Sequence, residues 1–463
     1  MSGLFGSLSI ALSGLSVSQQ ELETSSNNVA NANTTGYSRE TAVTEPGDPV
    51  VIGALSLGTG VLLDKIESLR DPILEIQLNQ ETQQNSSLNA QLEQLQQMQT
   101  QFGSSSSGIG ADISNFFNSL MQLSPDPSNL ALRQSVLTAA GNLATDFNNA
   151  ANSLETQSSN LNLSVVEDVS QVNSLTSQLA SIDQQISRLE NANEDAGTLV
   201  DQQTNLVRQL SGLVDVQVIQ TGKGGIELTT SNGTALVSEG QSFALSTATG
   251  TGGAQQVMAG TQNITSSLAG GSLGGTIQIR DQEIPSIGSS LDQLAAGLAT
   301  ALNNANAQGY DLETPPVKGG NIFAAPPVGG VGAAAAMTVT MTDPSLIAAS
   351  SDGTPGSNGN LANLSAVASE AVANGQTPID SYSNLVFQVG STTSNTSADV
   401  DASAQILQQL QDERGSVSGV SLDEEAANMV QYQTAYQASA RVITTINSLL
   451  ADAVNLGVET AVQ

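Results

Sequence analysis

Apolar residues recur at seven-residue steps at both ends of this chain. Near the start they are Leu8, Leu15, Leu22 and Val29; near the end they are Met429, Tyr436, Ile443 and Leu450. Leu4, Ala11, Ser18 and Ser25 fill the alternate positions of the first stripe and complete a three-four spacing. A helix with such a ridge is not stable alone in water. The simplest fold therefore pairs the two ends and holds the rest of the chain between them. Ser18 and Ser25 weaken half of the first seam, which suits several shallow contacts in a packed assembly better than one isolated pair. The first helix is predicted over residues 4–31. Asn31, Asn33 and Gly36 end it, because Asn and Gly tolerate left-handed backbone.

The last helix opens on Ser421-Leu422-Asp423-Glu424, a capping box in which Ser421 accepts from the Glu424 N–H and the Glu424 side chain reaches back. Asp423, Glu424 and Glu425 suit the positive end of its dipole. A second stripe, Ala435, Val442, Leu449 and Leu456, flanks the first, and Ile446 lies between Ile443 and Leu450. Two stripes exceed what one partner helix covers, so one is expected to face the N-terminal helix and the other a neighbouring subunit or, as the alternative, the interior of a larger intramolecular bundle. The candidate assembly interface is Leu4, Leu8, Ala11, Leu15, Leu22 and Val29 with Met429, Tyr436, Val442, Ile443, Ile446, Leu449, Leu450 and Leu456.

Between the ends, residues 34–70 read as extended chain with short strands. Asp71-Pro72 caps a helix that keeps heptad phase through Leu74, Leu78, Leu88, Leu92, Leu95 and Phe102, and a Gly/Ser loop follows at 103–110. Further helices are predicted near 128–155, 161–189 and 198–213; only Asp168 breaks the stripe of the one at 161–189. At 214–282 the period changes to alternation, with Asn232-Gly233 as a hairpin signal and the Gly-rich stretches 222–225, 250–253 and 270–275 as turns. Helix returns at 284–307. Residues 309–360 read as loops draped over the helices, with one strand at 337–341. Helices at 361–374, 381–391 and 399–414 precede the last. The fold class is mainly α with an inserted β domain. Residues 1–33 plus 421–463 form a terminal helical coiled coil, 34–213 plus 283–420 an elongated helical bundle, and 214–282 a small β-rich outer domain.

The 463 residues carry 43 acidic and 11 basic side chains, a net charge of −32. That balance opposes nucleic acid and anionic lipid as partners. No His and no Cys are present, which excludes Ser-His-Asp and Cys-His catalysis, disulfides, and metal sites built on thiolate or His ligands. No cofactor is expected. Carboxylate catalysis remains as an alternative, with Asp281 and Glu283 as its acids, although Asp281 beside Arg280 reads more simply as a surface ion pair. No basic residue precedes Arg39 and no apolar run is long enough to span a membrane, so the chain reads as cytoplasmic, or as exported by a route that reads an uncleaved N-terminus.

Ser26-Asn27-Asn28-Val29-Ala30-Asn31 followed by Gly36-Tyr37 resembles the N-terminal signature of the flagellar axial proteins of rod, hook and junction. Its continuation through Ser38-Arg39 is similar to the hook–filament junction branch. Near the other end, Ser418-Gly419-Val420-Ser421-Leu422-Asp423-Glu424-Glu425 and Gln433-Thr434-Ala435-Tyr436 resemble the same branch. The segments 130–147 and 270–303 agree with it in order. The resemblance implies a secreted, extracellular structural subunit at the junction of hook and filament, exported by the flagellar type III route and without catalysis. It implies self-assembly into a ring-like layer through the terminal helices. The implied partners are the hook protein, the second junction protein and an export chaperone on the C-terminal helix. Another axial role (second junction, hook or distal rod protein) is the close alternative. The segment available for outer domains is short, so a single β domain is expected.

Overall fold

Polar stretches without Gly or Pro carry helix further than separate apolar stripes suggest. Residues 156–160, Thr-Gln-Ser-Ser-Asn, contain no breaker, and one helix runs unbroken over Leu130–Asn191, where two were expected. Gln157 is buried within it and donates Nε2 to the Gln94 carbonyl at 3.1 Å. The same correction applies to Pro378–Ser418, one helix rather than two.

The structure is a computed structural model and describes residues 2–459 apart from 35, 53–54, 104–107, 193 and 222–223. Parts of the expected turns at 103–110 and 222–225 lie outside the described residues. In chain order the elements are α1 (Ser2–Asn31), β1 (Glu40–Pro46), β2 (Val50–Ile52), β3 (Leu55–Leu57), β4 (Val61–Ser68), α2 (Pro72–Phe102), α3 (Ile109–Leu123), α4 (Leu130–Asn191) and α5 (Gly197–Leu213). Then come β5 (Gln217–Gln220), β6 (Ile226–Thr229), β7 (Ala235–Ser238), β8 (Gln241–Ser242), β9 (Leu245–Thr249), β10 (Gln255–Ala259) and β11 (Gln262–Asn263). Last are α6 (Gly271–Gln278), α7 (Ile284–Gln308), α8 (Gly359–Ala366), α9 (Pro378–Ser418) and α10 (Leu422–Glu459). The fold is mainly α with an inserted β segment, as expected.

Two compact units emerge. The first contains Met1–Gln83, Val172–Leu245 and Ala404–Gln463; the second contains Gln84–Gln171 and Ser246–Ser403. In the first, β1 pairs antiparallel with β4 and β5–β8 form a four-stranded sheet. Asp71 caps α2, its Oδ1 accepting from the Ile73 and Leu74 N–H groups. The β6–β7 connection places Gly233 at φ +84°, the left-handed backbone that the Asn232-Gly233 pair predicts.

The second unit is built on an apolar core of Phe116, Leu120, Leu143, Phe147, Leu298 and Leu302, all sealed from solvent. Its helix α3 was not anticipated, although Ile109, Ile113, Phe116, Leu120 and Leu123 hold helical spacing. Residues 270–275 were expected as a turn, yet α6 starts at Gly271. Gly275 is needed there because a Cβ would collide with the Ser87 carbonyl of α2. Asp168, the break in the apolar stripe of α4, accepts from Ser272 Oγ of α6 at 3.1 Å. The expected strand at 337–341 is a single bridge between Phe323 and Val339, and α8 stops at Ala366 with one 3-10 turn beyond, short of residue 374. Arg280 is buried rather than at the surface, forked onto Asp281 at 2.7 and 3.0 Å, with its third nitrogen on Asn162 Oδ1 and the Gln255 carbonyl.

The loops of residues 309–358 have little backbone pairing of their own, so side chains supply it. Asn303 accepts from the Ile322 and Phe323 N–H groups and donates to the Phe323 carbonyl. Asn306 binds the Gly320 carbonyl and the Ala348 N–H, and Asn148 reaches three carbonyls of residues 334–337. Arg133, 1% exposed, donates to the carbonyls of Pro127, Pro344, Ser345 and Ile347, and burial lowers its pKa to about 10. Asn303→Leu leaves three buried backbone groups unpaired; we expect a loss of about 3 kcal/mol, read from urea unfolding of the full chain.

Candidate assembly site

Acidic side chains outnumber basic ones nearly four to one in this chain, 43 to 11, so the placement of each arginine is informative. Of the eleven bases, Arg39 lies on the segment that leads out of α1, Arg70 and Arg414 bind that segment at Ser38 and Gly36, and Arg208 joins Arg414 through Glu75. They build a clamp between the two chain ends.

The clamp begins at the end of α1. Asn28 is buried, and its amide pairs with the backbone of Glu40: Nδ2 donates to the Glu40 carbonyl at 2.8 Å and Oδ1 accepts from the Glu40 N–H at 2.9 Å. The Tyr37 hydroxyl donates to the same Oδ1 at 2.9 Å. Burial, then the nearby Glu40, Asp201, Glu425 and Asp195 charges, hold the Tyr37 pKa well above that of a free phenol, so it stays a donor. Gly36 takes φ +86°, which reverses the chain after α1. Its carbonyl accepts from Arg414 Nη2 at 2.9 Å, and Glu75 bridges Arg414 and Arg208 at 2.6 and 2.8 Å. Asp201 caps the Ser38 N–H and binds Arg70 at 2.8 Å.

The C-terminal half meets this from α10. The Arg39 N–H donates to the Ser418 carbonyl at 2.9 Å. Its guanidinium binds Glu425 at 2.7 Å and Glu424 at 2.9 Å. Burial works against the Arg39 charge, but the bonds to Glu424 and Glu425 outweigh it and raise its pKa. Glu425, 2% exposed, also accepts from Ser25 Oγ at 2.5 Å. The expected capping box is half formed: the Glu424 N–H lies 3.5 Å from Ser421 Oγ, but the Glu424 carboxylate turns to Arg39 instead of reaching back.

From this joint α1 and α10 run antiparallel. Ser25 meets Glu425, and eleven residues earlier a Cβ on Gly14 would sit 3.3 Å from Ser439 Oγ. The β1–β4 hairpin packs on another side of α1, where the Val61 N–H donates to Ser13 Oγ. Ala11 and Ile446 are buried; Leu4, Leu8, Leu15, Leu22, Met429, Ile443 and Leu450 are half-buried. Val29, Tyr436, Val442 and Leu449 are exposed, and the side chain of Leu456 lies outside the described residues. Among the motif residues, Asn27 donates to Glu40 Oε2 and accepts from Asn31 Nδ2. Ser418 is buried, Gly419 leaves no room for a Cβ against the Gly415 carbonyl, and Val420 is half-buried. Ser26, Asp423 and Gln433 face outward. Ser25, Glu40, Arg70, Glu75, Asp201, Arg208 and Arg414 were not anticipated as site residues. Their one sequence signal is the scarcity of arginine.

Among the described residues no group of three or more His, Cys, Asp or Glu side chains is placed to hold a metal ion, and no helix is long and apolar enough to cross a membrane.

Three family patterns divide the chain at these same places. "Flagella basal body rod protein" matches residues 8–37, "Flagellar basal body rod FlgEFG protein C-terminal" matches 414–456, and "Flagellar hook-associated protein FlgK helical domain" matches 95–323. The chain is 29% identical to the flagellar hook-associated protein 1 of Bacillus subtilis (strain 168), over 98% of this chain and 99% of that one. It is 27% identical to that of Salmonella typhimurium (strain LT2), over 96% and 99%, and 25% identical to that of Escherichia coli (strain K12), over 96% and 98%. The chain belongs to the flagellar hook-associated protein 1 family. The fold agrees: the solved flagellar hook junction protein FlgK of Burkholderia pseudomallei superposes with a TM-score of 0.68 at 19% identity, over 74% of this chain and all of that one. The two rod-type patterns contain Ser25, Asn28, Gly36 and Tyr37 at one end and Arg414, Ser418, Glu424 and Glu425 at the other, while Arg39, Arg70, Glu75, Asp201 and Arg208 lie outside them. Alignment to the E. coli relative runs over 542 residues against 463 here, so that relative has segments this chain lacks.

Glu425→Ala removes the buried acceptor of Ser25 and Arg39. We expect a loss of about 3 kcal/mol of the stability of this unit, with faster proteolysis at α1 as the measured sign.

Proposed function

We propose that this chain is a structural subunit of the bacterial flagellum at the junction of hook and filament. It joins a ring-like layer through α1 and α10, the ends assigned here to a terminal assembly domain of residues 1–33 and 421–463. Residues 34–213 and 283–420 act as the helical-bundle body and 214–282 as the β-rich part facing outward. Near-complete alignment with the flagellar hook-associated protein 1 of three organisms is the observation behind this reading. The role is structural rather than catalytic, and its place is extracellular, reached through the flagellar type III route.

The chemistry of the ends supports assembly. With α1 and α10 paired, Phe5, Ile10 and Leu12 of α1 and Val430, Val442, Leu449 and Val454 of α10 keep a third to two-thirds of their surface exposed. Each such side chain, once buried against a neighbouring copy, contributes about 1.5–3 kcal/mol. The neighbours are further copies, the hook protein on one side and the second junction protein on the other. Before export the same apolar face of α10 suits a chaperone.

Leu449 is half exposed, so Leu449→Asp should change the stability of the isolated chain by no more than about 0.5 kcal/mol. We expect it to abolish incorporation at the hook tip, scored by filament growth and by labelling of isolated hooks. Normal filaments from this variant would refute the assignment.

A further inference from the structure

The Glu40 carboxyl differs from every other acid in the clamp. Glu425, Glu424, Glu75 and Asp201 each grip an arginine. Glu40 is 5% exposed and makes no ion pair. Its Oε2 accepts a long bond of 3.3 Å from Asn27 Nδ2, and its Oε1 is sealed from water with no partner.

The surroundings are specific. Glu40 lies directly across the β1–β4 ladder from Ser68, whose Oγ is also sealed and unpartnered. Both face Gly197, at the start of α5. A Cβ there would stand 2.8 Å from Glu40 Oε1, 3.1 Å from Ser68 Oγ and 3.3 Å from Asp195 Oδ1. Three oxygens thus converge on one side of a glycine; the Gly197 N–H serves Asp195 Oδ1 at 3.0 Å, and no N–H serves Glu40 Oε1 or Ser68 Oγ. The charged groups facing Glu40 are Asp195 from the loop before α5, Asp201 from α5 and Arg70 after β4. Arg70 is turned away, bonded to Asp201, Ser38 Oγ and the Gly197 carbonyl. A bare Glu40 carboxylate would therefore be a buried charge beside two like charges, with no N–H and no cation directed at Oε1.

We propose that Glu40 is held as the neutral acid in the folded chain and donates its Oε1–H toward Ser68 Oγ and Asp195 Oδ1, making this corner of the clamp a proton-loaded latch. The proton gives both orphan oxygens a partner and needs no space. Burial, then Asp195 and Asp201, raises the Glu40 pKa above its ordinary value of 4.5, while Asn27 and Arg70 pull it partly back. The folded state then binds more protons than the unfolded one above that value. Stability from this group is complete below pH 4.5 and is lost as pH rises through the folded pKa. Loss of the proton strikes where Asn27 and Asn28 tie α1 to β1, so alkali loosens the seat of the N-terminal helix. The latch stands whether or not the chain assembles at the junction.

The test is made on the full chain. Infrared difference spectra between about pH 5 and pH 9 should show a protonated-carboxyl carbonyl band that persists at neutral pH and is missing from Glu40→Gln. Glu40→Gln should also melt at or above the unmodified chain at neutral pH, with the gap widening as pH rises. If Glu40→Gln fails to fold, Ser68→Ala takes its place: a shift of that band supports the latch and an unshifted band overturns it. Parallel melting profiles overturn it, as does the absence of any Glu40-dependent band. So does a rise in melting on adding magnesium or calcium that Glu40→Gln lacks, because a metal ion would then be the neutralising partner.

Discussion

The buried carboxylate of Glu425 is the contact on which the terminal architecture depends. It accepts from Ser25 on one end of the chain and from Arg39 just beyond that end, while it sits in the first turn of the other. The apolar ridges of α1 and α10 are interrupted by Ser, Gly and Ala, and such ridges tolerate sliding. A charge sealed from water tolerates none, since a slip of one turn would leave it without a donor. The ridges thus supply adhesion, and the Ser25–Glu425–Arg39 contact sets the register, much as one buried polar residue does in a coiled coil.

A similar division operates in the second unit. Helices α3, α4 and α7 supply the apolar core, but more than forty residues of loop lie against them without a ladder of their own. Asparagine solves this because its amide carries both donor and acceptor. Asn148, Asn303, Asn306 and Asn360 each answer two or more backbone groups, and Arg133 gathers four carbonyls. Arg133 has no carboxylate partner among its hydrogen bonds, and the four dipoles aimed at it stand in for a counter-ion.

Much of this was legible in the sequence. Heptad spacing identified α1 and α10, Asp71-Pro72 marked the start of α2, and alternation marked the β segment. The motif residues Asn28, Gly36, Tyr37, Arg39 and Glu425 were visible as a family signature. Their mutual contacts were not, because spacing within one helix says nothing about a partner nearly four hundred residues away. Ser25 read as a weakness in the seam and proved to be its polar lock. Helix continuity through residues 156–160 was hidden because polar residues carry no stripe, and the buried bond from Gln157 to the Gln94 carbonyl becomes visible only in the fold. Gly271–Gln278 deceived in the opposite direction: its glycines signal turns, but close approach to the Ser87 carbonyl requires Gly275 inside a helix.

The separation between Ser25 and Glu425 has a temporal meaning. Four hundred residues lie between the two atoms that bond. Synthesis proceeds along the chain, so the first member of the pair must wait, unsatisfied, until nearly every other residue has emerged. A stalled or truncated molecule can fold its interior but never close this contact. The joint therefore marks how far a chain has been made: it closes only in molecules that extend past Glu425.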